Sequence, residues 1–215
     1  MVYALFAHLK TNRPNGPSLF PIVMTEENAG PRDRLLDAAR ELFYRQGPGA
    51  VGVNELIEAS GTHKASFYRH FASRDALALE YLREQGRSFR ALLTKLTARA
   101  SHATDFVHRW VSLLKKQERR GEFLGCPLAR FMSGLAVEDP QWAVESRAIL
   151  DSWHNVLAGY LQSLSGNRTH AEDQARALIK AYQANAQLYA ITRDRRYFTE
   201  MEADMLAALE KPPRE

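Results

Sequence analysis

From residue 32 onward, apolar residues recur every three or four positions, the period of helices with one buried face. In RDRLLDAARELFYRQG, Leu35, Leu36, Ala39, Leu42 and Phe43 form one stripe, and Gly47 stops it. VNELIEAS, residues 53 to 60, predicts a second, shorter helix with Val53, Leu56 and Ile57 inward. Gly61 breaks that helix, and the pattern restarts at Lys64 with Phe67 and Phe71 one turn apart. Ser73 is placed to cap a long fourth helix with Leu77, Tyr81 and Leu82 inward. Further helices are predicted over 103–118, 127–137, 140–164, 171–193 and 195–210. The breaks between them are Gly121 and Gly125, Asp139-Pro140, Ser165-Gly166-Asn167 and Asp194. No segment shows the strict alternation of a half-buried strand, so the fold class expected is all-α. The chain divides into a three-helix unit with helix-turn-helix over 32–78 and a larger helical unit over 79–215. Residues 10–31 carry four of the nine prolines and no period, so 1–31 is expected to be a flexible tail, with Met24 an alternative start.

Two stripes dominate the larger unit: Phe106, Val107, Trp110, Val111 and Leu114, then Trp142, Ile149, Trp153, Val156, Leu157, Tyr160 and Leu164. Such stripes are core first. With His108 and His154 close to two of the three tryptophans, they also suit an apolar pocket carrying a few polar groups. The expected pocket residues are Phe106, Trp110, Cys126, Phe131, Trp142 and Trp153. At the C-terminal end, Ala175, Leu178, Ile179, Tyr182, Ala186 and Tyr189, followed by Phe198, Met201, Met205 and Leu209, predict a face that pairs with a second copy as a four-helix bundle.

Composition narrows the chemistry. The 215 residues are 45% hydrophobic and 25% charged, enough for one sizeable core, and the formal charge of +4 permits a polyanionic partner. No apolar run approaches the roughly 18 residues that would span a bilayer, and MVYALFAHL lacks a basic leader and a cleavage site, so no membrane or secretory role is expected. The single cysteine, Cys126, cannot form an internal disulfide, which fits a reducing cytoplasm.

GTHKASFYRHF, residues 61 to 71, concentrates the functional signal. His63 and His70 are about two turns apart, roughly 10 Å along a helix, with no carboxylate between them, so no metal or other cofactor is expected there. Ser66 has no base or acid at a recognisable spacing, so catalysis is unsupported. A helix-turn-helix explains every residue type. Phe67 and Phe71 fasten the second helix of the motif, leaving Thr62, His63, Lys64, Ala65, Ser66, Tyr68, Arg69 and His70 at its outer surface or N-terminus as phosphate and base contacts for double-stranded DNA.

DAARELFYRQG and VNELIEASGTHKASFYRHFASRDAL, spanning residues 34 to 79, resemble the DNA-binding domain of the TetR family of transcriptional regulators. The resemblance implies phosphate contacts from Lys64, Tyr68, His70 and Arg74, and approaches to bases or flanking backbone from His63, Ala65, Ser66 and Arg69. Val51 and Gly52 stand where the family often has Thr or Ser, which removes a cap and a phosphate contact, and Arg69 stands where His or Tyr is usual. The resemblance further implies a homodimeric regulator, a repressor released from a palindromic operator by a small apolar effector.

GEFLGCPLARF places Cys126 just before Pro127, at the N-terminus of a helix, where the dipole and Arg130 favour a thiolate. It resembles a GCPLGNLA-like segment of some TetR regulators, with Arg130 replacing the usual Asn. An alternative reading is therefore a thiol-based electrophile or redox sensor on the same scaffold. A helical enzyme with Cys126 as nucleophile is a remote third reading, since no base is paired with it.

Overall fold

Helix α1 (Pro31–Gln46) starts on a proline, whose missing N–H costs nothing in a first turn, and ends at Gly47, which takes φ 83°. A short 3-10 turn, Pro48–Ala50, leads to α2 (Val53–Ser60), closed by Gly61 in the left-handed conformation. Then come α3 (Lys64–His70) and α4 (Arg74–Arg99), the latter capped by the Ser73 hydroxyl accepting from the Ala76 amide at 3.0 Å. Leu35, Ala39 and Phe43 of α1 are fully buried, as are Leu56 of α2, Phe67 of α3 and Leu77 of α4. Each such leucine or phenylalanine contributes about 1.5–3 kcal/mol relative to leaving it in water. The helix-turn-helix is therefore welded to α1 and α4 rather than hinged on its turn.

The computed structural model describes residues 30–135, 140–210 and 212, and among these there are nine α-helices and no strand, so the all-α expectation holds. The expected tail lies outside the described residues except for its last two, Gly30 and Pro31, and Pro31 already belongs to α1. The larger half comprises α5 (Ala103–Arg119), α6 (Pro127–Ser133), α7 (Pro140–Ser165), α8 (Arg168–Thr192) and α9 (Arg196–Glu210). Here α7 packs on both α4 and α8, while α9 lies across α8 and α5. Helix α6 stops sooner than its predicted end at 137. Its C-terminal Gly134 is jammed against the turn after α1, where a Cβ would come within 2.9 Å of Pro48 Cδ. Helix α8 begins earlier than predicted, because the Asn167 side chain caps the His170 amide at 3.0 Å.

The stripe expected to pair two copies does not face outward. Ala175, Leu178, Tyr182, Ala186 and Tyr189 of α8 are buried in the protomer, and so are Phe198, Met201 and Met205 of α9; Ile179 and Leu209 are partly covered. Packing α8 between α7 and α9 consumes that face. The apolar side chains left in water are Leu188 and Ile191 on α8 and Val144 on α7, all off the predicted stripes, and Leu164, which ends the α7 stripe but reaches solvent; Ile191 is 70% exposed.

Candidate nucleic-acid interface

Helix α3 is held from below and open above. Phe67 is fully buried and meets Phe71 at a ring-centroid distance of 6.1 Å, while the Arg32 guanidinium lies 5.5 Å over the Phe71 ring. The Arg34 Nε donates to the Ser60 carbonyl at 3.2 Å, bracing the end of α2 that feeds the turn. With the aromatic side pinned, His63, Lys64, Ala65, Tyr68 and Arg69 are exposed together and His70 is half-exposed. Tyr68 stays 49% exposed although its ring leans edge-on against Phe67 at 5.2 Å, which keeps the hydroxyl in water and the ring fixed. His63 occupies the N-cap without a side-chain cap, and α2 likewise starts at Gly52 uncapped, as expected from the absent Thr or Ser. A rigid ridge with cationic groups, an aromatic hydroxyl and a small residue in its first turn is chemically suited to phosphates and a groove.

Three expected contact residues are placed differently. Thr62 is buried, its hydroxyl 2.8 Å from that of Ser60, so it closes the turn from inside. Ser66 is buried beside Phe67, because position 66 falls on the side of α3 that faces the bundle. Arg74 is half-buried and donates to the Pro48 carbonyl at 2.7 Å, to the Val51 carbonyl at 3.5 Å and to Asp75. Its guanidinium braces the turn between α1 and α2.

Residues 35–81 match the family of bacterial regulatory proteins called tetR. An uncharacterized HTH-type transcriptional regulator of Mycobacterium tuberculosis is 30% identical over 138 residues, covering 54% of this chain and 68% of that protein. The chain belongs to the TetR family. It is thus a DNA-binding transcriptional regulator. The HTH-type transcriptional repressor KstR2 of Rhodococcus jostii is 29% identical over 107 residues, 43% of this chain and 52% of that one. The crystal structure of a TetR transcriptional regulator from Legionella pneumophila superposes with a TM-score of 0.74 at 14% identity, covering 86% of this chain and all of the other, a likeness of fold.

In this TetR-family chain five of the six expected pocket residues fall into two aromatic groups, and Cys126 stands apart from both. Phe106, Trp110 and Trp153 belong to one, centred on Phe89, whose ring lies 4.3 Å from Trp153, 5.2 Å from Tyr182 and 5.9 Å from Trp110. Phe131 and Trp142, 5.4 Å apart, belong to another with Phe43 and Tyr81. Near the first group, Trp110 Nε1, the Tyr160 hydroxyl beside Phe106 and Gln85 Oε1, one turn from Phe89, are buried without a hydrogen-bond partner, while the Tyr182 hydroxyl lies against the Cys126 thiol. The two histidines instead engage groups away from the rings, His108 with Glu202 at 2.8 Å and His154 with the Glu172 carbonyl at 3.0 Å. Between α1 and α4 lies a charged cleft of about 220 Å³, laced by Arg40 with Asp37 and Glu84 and by Arg32 with Glu80, a poor match for an apolar ligand.

Cys126 does sit at the N-cap of α6, but it is fully buried, beside Tyr182 and Gln183. Burial pushes its thiol up, against the expected depression, and the nearby backbone amides of α6 offset this only in part. Arg130 is turned away from it, toward α1. The sequence singled out Arg130 only as the thiol's neighbour, and it gave no hint of Tyr44, the residue Arg130 reaches. Among the described residues no helix is long and apolar enough to cross a membrane, and no group of three His, Cys, Asp or Glu side chains is arranged to hold a metal.

Proposed function

We propose that this regulator is a homodimeric repressor that binds a palindromic operator through α3 and leaves it when a small, largely apolar effector enters the helical half. The observation that carries the DNA contact is the joint exposure of His63, Lys64, Ala65, Tyr68 and Arg69 on a helix whose other side is locked by Phe67 and Phe71. Lys64 and Tyr68, with His70 at the edge, address phosphates, while Arg69, Ala65 and His63 stand nearest the bases. The repressing sense rests on the likeness to KstR2. Residues 32–78 act as the DNA-binding domain and 79–215 as the effector and dimer domain.

Effector binding is supported by the unpaired Trp110 Nε1, Tyr160 hydroxyl and Gln85 Oε1 beside the aromatic group of Phe89 and Phe106, since buried polar atoms are ordinarily satisfied. A thiol switch at Cys126 is disfavoured, because a fully buried, protonated thiol reacts slowly. The dimer face we assign to the outer sides of α7 and α8, where Val144, Leu188 and Ile191 stand in water.

The test is to recover duplexes bound by the full chain from random DNA. An inverted repeat with half-sites about one helical turn apart, roughly 34–36 Å, is expected. An asymmetric consensus, or none, would remove the palindromic reading.

A further inference from the structure

Helix α1 leads into the helix-turn-helix, so whatever holds its C-terminal end sets where α3 stands. The Tyr44 hydroxyl, in the last turn of α1, accepts from the Leu124 amide at 2.8 Å and donates to the Gly125 carbonyl at 2.9 Å. Arg130 of α6 reaches back across the same gap. Its Nε donates to the Tyr44 carbonyl at 2.9 Å, Nη2 to the Arg45 carbonyl at 3.1 Å and Nη1 to the Leu124 carbonyl at 3.3 Å, with the guanidinium 5.7 Å over the Tyr44 ring. The carbonyls of Tyr44 and Arg45 are among those a helix end leaves without intrahelical partners, so Arg130 caps α1 from another helix.

The far side of this junction is equally tight. Gly125 has φ 116°, and a Cβ on it would lie 2.8 Å from Ala190 Cβ and 3.3 Å from the Ala186 carbonyl of α8. The peptide that binds Tyr44 is therefore pressed directly on α8. At the other end of α6, Gly134 abuts Gly47 and Pro48, and a Cβ on Gly49 would collide with the Gly134 carbonyl. Arg74 holds Pro48 and Val51 from the head of α4.

We propose that Tyr44 and Arg130 are positioning residues for DNA recognition: they clamp the end of α1 to α6 and the Leu124–Gly125 peptide, and so fix the recognition helix relative to α8. Both side chains are committed to these contacts within the protein. The clamp needs no effector and no particular dimer interface, and rests only on the chain's binding DNA.

The experiment uses the full chain carrying Tyr44→Phe, Arg130→Met or Arg130→Lys. Spin labels are placed through Arg69→Cys on α3 and Arg176→Cys on α8, both exposed, with labelled chains diluted in unlabelled ones so that only intrachain distances are read. Affinity is measured on unlabelled variants, with a duplex recovered by the unmodified protein. Tyr44→Phe and Arg130→Met are expected to broaden the α3 to α8 distance distribution and to weaken binding tenfold or more at a temperature where each variant is fully folded, with an unchanged salt slope and only a modest fall in melting temperature from the lost bonds. Arg130→Lys, able to reach one carbonyl but not three, should fall between. A distance distribution as narrow as the parent's in both Tyr44→Phe and Arg130→Met would overturn the proposal. So would an affinity loss that merely tracked a fall in melting temperature, which would make these bonds ordinary stabilising contacts.

Discussion

Helices α3 and α8 both carry apolar residues at helical spacing, yet they relate to the rest of the molecule in opposite ways. Helix α3 has only seven residues and is touched from one side, so its off-stripe positions are water-facing by default, and those positions hold Lys64, Tyr68 and Arg69. Helix α8 has 25 residues and lies between α7 and α9, so nine of its residues are buried and the stripe, apart from the partly covered Ile179, is consumed within the protomer. A stripe reports what a helix packs on first. Function sits on the remaining positions, and these are informative from sequence only when their chemistry differs from that of the core.

The two helices differ most at the aromatic centre that α8 helps to bury. Trp110→Ala removes a fully buried indole that touches Phe89, Phe106 and Tyr182, and is expected to cost about 3–5 kcal/mol of stability, readable as a shift of the denaturant midpoint. The same measurement on Lys64→Ala should move by less than about 0.5 kcal/mol, because that side chain is exposed. A stable Trp110→Ala protein would mean that the shell around Phe89 tolerates a cavity, and would strengthen the effector pocket at the expense of the core reading.

Next in size is the outer face of α8. Leu188→Asp with Ile191→Asp should leave the protomer folded while abolishing the dimer in sedimentation, since charges buried in an apolar interface without partners are costly. Tyr182→Asp, on the opposite side of the helix, should instead unfold the chain. A dimer surviving the outer pair would place the interface elsewhere than the apolar side chains left in water.

On the DNA side, Lys64→Ala should weaken binding about equally across sequences and lower the salt slope by about 1, the signature of one lost phosphate contact. Arg69→Ala should alter preference at one or two base positions more than it alters the slope. If the two variants behaved alike, α3 would be contacting backbone only.

Much of this architecture was legible in the sequence. Gly61, Ser73 and Pro127 announce a turn, a cap and a helix start through their own backbone chemistry, and the Phe67 and Phe71 pair fixes which side of α3 is inward. What stayed hidden depends on partners far along the chain. Ser66 looks like a surface serine until its side of α3 meets the bundle, and Arg74 looks like a phosphate ligand until the Pro48 carbonyl arrives within 2.7 Å. The bond from Arg130 to Tyr44 joins residues 86 apart and leaves no local trace. For Cys126, the local N-cap signal was right, and burial, a property of the whole fold, reversed its consequence.

Thr62 tests the turn from its buried side. Thr62→Val keeps the shape and leaves the Ser60 hydroxyl with its remaining bond to the Ile57 carbonyl, so a loss of about 1 kcal/mol is expected in the denaturant midpoint, with DNA affinity retained. A selective loss of affinity would return Thr62 to the list of DNA contacts.

The smallest effect is expected at Cys126, and it is visible only through pH. Its thiol ionises near 9 when the chain is unfolded and higher when folded, because burial penalises the thiolate. Below about pH 8 both states keep the proton, and the group contributes no pH dependence. As pH rises through the unfolded value, the unfolded chain gives up a proton that the native chain retains, so stability falls. The parent should therefore lose stability relative to Cys126→Ala between pH 8 and 9.5, by less than about 1 kcal/mol, since each unit of displacement is worth about 1.4 kcal/mol. Tyr44, Tyr81 and Tyr182 are displaced upward from 10 chiefly by burial; Cys126 adds to each displacement, but burial keeps all three protonated in the native state below pH 9.5 with or without the thiol, so they contribute equally to both proteins. In the same pH range a thiol reagent should label the native protein only at the rate of its opening. Rapid labelling at pH 7, or a parent that gains stability over Cys126→Ala as pH rises, would mean that the native thiol ionises readily after all, and would revive the sensor reading that its burial argues against.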